Sequence, residues 1–174
     1  KLMHIILPAL KEIRLYEAVL SKKEGMLMIE ILPFEAARRD DAIFCLLTAQ
    51  NHLGRIPKLN EDLLDIKKFY FDKGDMFWLA VSDADRVVGM LGTQTVAPSD
   101  MWLKRLYILP DFKRNGIASS LLSVAEIFAH SRNITKIHTR FDDDYKEAHF
   151  FYLARGFQPC EHENGLHHFV KILV

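Results

Sequence analysis

The sequence predicts an α/β chain of the α+β kind, with a mixed, mostly antiparallel central sheet flanked by helices. Three observations carry this. Between residues 76 and 109, three apolar, β-rich runs follow one another across short turns, as in an antiparallel meander. A helical pattern then separates the last run from a further strand, and a strand–helix–strand crossover implies parallel neighbours joined right-handedly. Two more short strands close the chain.

In order, Lys1–Leu20 carries Leu10, Ile13 and Ala18 at a spacing that suits a short helix, which gives an N-terminal helical extension over residues 1–25 and a main domain over 26–174. Pro8 and Lys11 break the apolar run too early for a signal peptide. Met26–Phe34 reads as a strand. Ala36–Asn51 holds Ala37, Ile43, Phe44, Leu46 and Leu47 at helical spacing, and a second helix with Leu63, Leu64, Ile66, Phe69 and Tyr70 runs from a cap at Asn60 to Gly74. The meander follows as Met76–Ser82, Val87–Val96 and Met101–Leu109, with turns at Asp83–Arg86 and Pro98–Asp100. Beyond Asn115, the residues Ile117, Leu121, Val124, Ala125 and Phe128 share a helix face that stops at Asn133, and Lys136–Phe141 is a strand. Asp142, Asp143 and Asp144 place negative charge at the start of a helix that Gly156 ends. Phe157–Cys160 and His168–Val174 are the last strands, joined by a polar HENGLH loop.

Length and composition bound the function. The chain has 174 residues, 49% apolar and 26% charged, enough for one compact domain. Its 23 basic and 23 acidic residues cancel, so no global field attracts nucleic acid or an anionic membrane, and neither is expected as a partner. No stretch reaches the ~20 apolar residues of a membrane span. Cys45 and Cys160 are too few for a disulfide framework, sit among apolar residues, and are expected to be buried free thiols in a reducing cytoplasm.

Any anion site must therefore be local, and YILPDFKRNGIASSLL at residues 107–122 supplies one. A strand runs into a basic, glycine-bearing turn and then into a helix. The first N–H groups of a helix lack intrahelical partners and point toward solvent at the positive end of the macrodipole, where phosphate is a natural partner. Gly116 allows close approach, Ala118 is small, and Lys113 and Arg114 add charge. An ordinary surface turn is the plainer alternative. The chain has neither the GxxxxGK[ST] of a P-loop nor a GxGxxG after its first strand.

LKRLYILPDFKRNGIASSLL resembles the coenzyme-binding motif of the GNAT family of N-acetyltransferases, [Q/R]-x-x-G-x-[G/A] after a strand, and AHFFYLARGF resembles the same family's later A-x-x-L-Y-x-x-x-G-F motif. The motifs stand in the family's order, and the resemblance covers Met26 to Val174. It implies a GNAT-like fold and acetyl-CoA as acetyl donor. The diphosphate would lie on the amides of Arg114, Asn115, Gly116, Ile117 and Ala118, and the pantetheine arm would pair with the backbone of Leu106, Tyr107 and Ile108. Lys113 departs from the family's Gln or Arg: it keeps the charge and loses the planar fork.

Acetyl transfer from a thioester to an amine needs a neutral amine, an oxyanion stabiliser and a proton for the thiolate. The resemblance puts Tyr152 beside the sulfur as proton donor. The family's common glutamate falls at Trp102 here, leaving Asp100 and His138 as candidate bases, and Tyr145 stands where relatives often have Asn. A backbone N–H on the 106–108 strand is the candidate for the oxyanion. His162, His167 and His168 lie in a hairpin loop without a metal-binding pattern, so no metal is expected. The function implied is direct acetyl transfer to a small-molecule or peptide amine, with a non-catalytic acyl-CoA-binding or sensing module and a ligand-free interaction domain as alternatives. A homodimer is left open.

Overall fold

The computed structural model describes residues 28–173. The expected N-terminal helix lies outside the described residues. Seven strands form one mixed sheet: β1 (Ile29–Pro33), β2 (Phe77–Ser82), β3 (Val87–Ala97), β4 (Asp100–Ile108), β5 (Lys136–Asp142), β6 (Gln158–Glu163) and β7 (Leu166–Ile172), in the order β1-β2-β3-β4-β5-β7-β6. Among the described residues only β4 and β5 are parallel, and the helix between them is the expected crossover. All other pairs are antiparallel.

Helices cover both faces. On one, α1 (Arg39–His52) and α2 (Ile66–Phe69) bury Ala42, Cys45, Leu46, Leu63, Ile66 and Tyr70 against Phe77, Leu79 and Met90. On the other, α3 (Ile117–Ser131) and α4 (Lys146–Leu153) pack Leu121, Leu122, Ala125 and Tyr152 against Trp78, Met101, Ile137 and Phe169. In α3, Ile117, Leu121, Ala125 and Ala129 fall on one face at helical spacing and all are buried. Asn133, at φ 57°, ends the helix as expected.

Three expectations need correction. The second helix is broken into a 3-10 turn at Glu61–Leu63, α2, and a 3-10 turn at Phe71–Lys73, because the Asp65 carboxylate accepts from Lys68 N–H and starts a new helix there. The aspartate triplet lies outside α4, whose N-cap is Tyr145; Asp142 and Asp144 instead pair with Arg55. The HENGLH loop is mostly strand, turned by Asn164 and Gly165 at φ 53° and 75°, as an Asn-Gly hairpin requires.

Asp41, in the first turn of α1, ties that helix to the β2–β3 hairpin: its carboxylate accepts from Arg86 at 2.6 and 3.0 Å and from Val87 N–H. Burial alone would raise its pKa, but the Arg86 and Val87 hydrogen bonds outweigh it and hold the carboxyl below the ordinary range. A depressed folded pKa adds stability that is complete above the unfolded value of about 3.9 and is lost as pH falls through the folded one. Asp41→Asn should therefore lower unfolding free energy at pH 7 by about 1.5–3 kcal/mol. Urea titrations should show the deficit shrinking below pH 4, and a deficit independent of pH would contradict the assignment.

Candidate active site

The site begins with a defect in β4. Gly92 pairs with Lys104 and Met90 with Tyr107, so Arg105 and Leu106 together oppose Leu91. This is a β-bulge, with Arg105 at φ 59°. A left-handed non-glycine residue costs about 1–2 kcal/mol and persists only where its surroundings hold it. Asp62 does so, accepting from Arg105 Nη2 at 2.9 Å and from Nε at 3.0 Å. Tyr70 donates its hydroxyl to the same carboxylate. Gly92 makes this possible: a Cβ there would lie 2.6 Å from Tyr70 Cε1 and 2.8 Å from Phe77 Cδ2.

The bend separates two strands. β4 and β5 pair only at Asp100–Trp102 against Lys136–His138. Beyond Trp102, β4 stays on β3 and β5 on β7, so, among the described residues, 103–108 of β4 have no partner strand on the β5 side. Leu106, Tyr107 and Ile108 lie on this free stretch. Leu106 and Ile108 pack toward the α3 core, while Tyr107 neighbours both Tyr145 and Tyr152.

The basic turn follows at the end of β4. Arg114 and Gly116 have φ of 64° and 78°, Gly116 is the N-cap of α3, and no side chain caps the helix. Asn115 Nδ2 donates back to the carbonyls of Phe112 and Lys113, at 3.2 Å each, and so braces the loop. Among the described residues no protein acceptor takes the N–H groups of Arg114, Asn115, Gly116, Ile117 or Ala118. Arg114, Asn115 and Gly116 are exposed, and a Cβ on Gly116 would meet nothing within 4 Å. Lys113 Nζ lies 2.8 Å from Glu147 Oε2, with Arg114 Nη2 at 3.8 Å from Oε1, so the turn's cations face one exposed carboxylate. The Lys113 hydrogen bond lowers the Glu147 pKa.

Tyr152 reaches the gap from α4. It is buried, stacks on Phe141 at 5.6 Å and meets Phe157 edge-on at 5.1 Å. Burial, opposed by the neighbouring Thr139 hydroxyl, pushes its phenol up to about 12. It therefore keeps its proton throughout the neutral range. Tyr145 is also raised, by burial and then by Tyr107, and its ring carries the Arg55 guanidinium at 4.3 Å.

The candidate bases are otherwise engaged. His138 Nε2 lies 2.9 Å from Asp100 Oδ1 and its Nδ1 3.1 Å from His168 Nε2, while Trp102 stacks on both rings. Asp100, expected as a turn former, is the first residue of β4, and Ser99 and then His138 hold its carboxyl below the usual range. Cys45 is buried, its thiol pushed up to about 12 mainly by burial, and is inert. Cys160 is exposed, against expectation, because β6 is an edge strand open to solvent along its whole length.

Two features lay beyond sequence reasoning. A cavity of about 490 Å³ opens beside the bulge, lined by Asp62, Tyr70, Lys104 and Arg105 together with Lys58, Glu61 and Lys73. The histidines, expected to be scattered, are organised: Asp143 takes His162 and His167 at 2.8 Å each, and Cys160, Glu161 and His168 gather separately. Neither the cavity nor the clusters follow from local spacing, since their members come from separate elements that meet only in the folded chain.

Asp62→Asn removes the charge that holds Arg105 and should cost about 2–3 kcal/mol. Glycine takes a positive φ without strain, so adding Arg105→Gly to that variant should recover part of the loss in urea unfolding. An unchanged Asp62→Asn stability would mean that the bulge is held by something else.

Residues 31–157 match the profile of the Acetyltransferase (GNAT) family. An aminoglycoside N(6')-acetyltransferase type 1 from Acinetobacter genomosp. 13 is 30% identical over 93 residues, 48% of this chain and 62% of the relative, so the match spans less than two thirds of that protein. A GNAT acetyltransferase from Staphylococcus aureus Mu50 superposes with a TM-score of 0.77 at 21% identity, over 84% of this chain and 99% of that one. The PaiA N-acetyltransferase of Thermoplasma acidophilum, solved with coenzyme A, does so at 0.68 and 17% identity, over 83% and 99%. At these identities the two structures establish the fold, and the profile match establishes the family. The chain belongs to the acetyltransferase (GNAT) family, enzymes whose cosubstrate is acetyl-CoA.

Proposed function

We propose that the chain transfers an acetyl group from acetyl-CoA directly to an amine, with no acyl-enzyme. The observation that carries this is the pairing of two unsatisfied backbone surfaces, the free edge of β4 and the open amides of the 114–118 turn. Together they suit one ligand with an amide-bearing arm and a diphosphate. The arm adds to β4 at Leu106, Tyr107 and Ile108, and the diphosphate takes the turn amides with Lys113 and Arg114. Glu147 then gives up its two cations, an exchange of one exposed ion pair for another.

The neutral amine attacks the thioester carbonyl carbon, and a backbone N–H of the 106–108 segment receives the developing oxyanion. The C–S bond breaks as Tyr152 gives its proton to the thiolate. The new ammonium loses a proton to water, and Tyr152 recovers its own from solvent. Both candidate bases are tied into the Asp100–His138–His168 chain, which favours loss of the acceptor proton through water. Cys45, buried and protonated, does not compete with direct attack.

The cavity beside the bulge is the entry for the acceptor. Arg105 neutralises Asp62, whereas Lys58, Lys73 and Lys104 have no carboxylate partner among the described residues and face only Glu61. This balance favours an amine that also carries an anionic group, such as an amino acid derivative or an acidic peptide, over a polycationic aminoglycoside.

Tyr152→Phe should leave coenzyme binding intact and cut kcat about 10²–10⁴-fold, the usual contribution of a positioned acid. Because the phenol is raised to about 12, its proton is held below that value, and wild-type turnover should not decline between pH 7 and pH 10. Thiol release from acetyl-CoA over a panel of acidic, neutral and polycationic amines tests the reaction and the acceptor class together. Coenzyme binding without release on any amine would leave the non-catalytic module; a preference for polycations would overturn the acceptor class alone.

A further inference from the structure

The β6–β7 hairpin carries a second irregularity. Pro159 pairs with Phe169 and Glu161 with His168, so Cys160 is an extra residue and both Cys160 and Glu161 oppose His168. Their sulfur, carboxylate and ring-nitrogen atoms all lie within 4.8 Å of one another. Adjacent residues of a regular strand point to opposite faces, so the bulge is what brings these two side chains onto one imidazole.

The imidazole is prepared from behind. Asp100 can only accept, so His138 donates through Nε2–H, and its Nδ1 is placed to accept from His168 Nε2–H. The lone pair of His168 Nδ1 is left facing Cys160 and Glu161, and that buried nitrogen has no hydrogen-bond partner among the described residues. Leaving it bare is costly unless something takes the lone pair. Glu161 Oε2, at 3.5 Å, is beyond a good hydrogen bond to it.

We propose that Cys160, Glu161 and His168 form a zinc site, contrary to the sequence expectation of no metal. Zinc bonds of about 2.0–2.3 Å in a tetrahedron put neighbouring ligand atoms about 3.4 Å apart. The 3.5 Å between His168 Nδ1 and Glu161 Oε2 matches. Thiolate, imidazole and carboxylate are a zinc-like donor set, and the His138–Asp100 chain behind the ligand histidine is the support such ligands usually have. Water fills the fourth position. Arg140, at 4.0 Å from Glu161, is the one cation paired with that carboxylate among the described residues and gives way. The Asp143, His162 and His167 group differs: both histidine Nε2 atoms already lie 2.8 Å from the carboxylate, too close for two ligands of one zinc. A bound ion would fasten the exposed edge strand β6 to β7.

The test uses untagged, reduced, chelator-stripped protein titrated with Co²⁺ and then Zn²⁺. The expected result is one ion per chain with a thiolate-to-cobalt charge-transfer band, displaced by zinc, abolished by Cys160→Ser and unaffected by His162→Gln. Asp100→Asn, behind the ligand, should weaken binding about 10–100-fold. Cys160 is exposed, so its serine variant should fold, and its melting curve in chelator checks this. No band, a band that survives Cys160→Ser, or metal binding lost in His162→Gln would each overturn the site.

Discussion

One ion pair holds the irregular conformation of β4. Asp62 grips Arg105 with two hydrogen bonds and keeps that residue in a left-handed conformation inside a β-strand. The extra residue turns β4 away from β5, and the parallel pairing ends at Trp102. Beyond that residue no strand among those described pairs with the β5-side edge of β4. The strain at Arg105 is offset by a pair with little access to water, where a charge-assisted hydrogen bond contributes more than at the surface. Gly92 and Tyr70 belong to the same device, because only the absence of a Cβ lets the tyrosine ring sit close enough to hold Asp62.

Electrostatics works locally here. The chain carries no net charge, yet some of its cations sit at the two surfaces where anions would be needed. Lys113 and Arg114 sit at the positive end of α3, restrained by Glu147, and three lysines without ion-pair partners among the described residues line the cavity by the bulge. Charges close to a binding surface act within a Debye length of about 8–10 Å, so local arrangement outweighs the global sum.

Much of this was legible in the sequence, and the exceptions share a cause. The strand–turn–helix at 107–122 could be read because its signals are local: a glycine with positive φ, a basic pair and a helical apolar stripe in one short segment. The meander and the parallel crossover were legible for the same reason. The bulge was not, since arginine does not announce a left-handed backbone and its partner lies 43 residues away. Cys160 was misjudged because flanking hydrophobicity says nothing about an edge strand, and only the sheet order places β6 at the edge. The hairpin was read, but not its register: the Asn164–Gly165 turn sets His162 opposite His167 and Glu161 opposite His168, a pairing that a loop assignment for HENGLH concealed.

Amide hydrogen exchange with and without coenzyme A is the most direct test of the central claim, that two unsatisfied backbone surfaces form one ligand site. The account predicts new protection at Leu106, Tyr107 and Ile108 and at the amides of 114–118, at ligand concentrations that saturate binding. Protection confined to other strands, or none at either segment despite saturation, would contradict it.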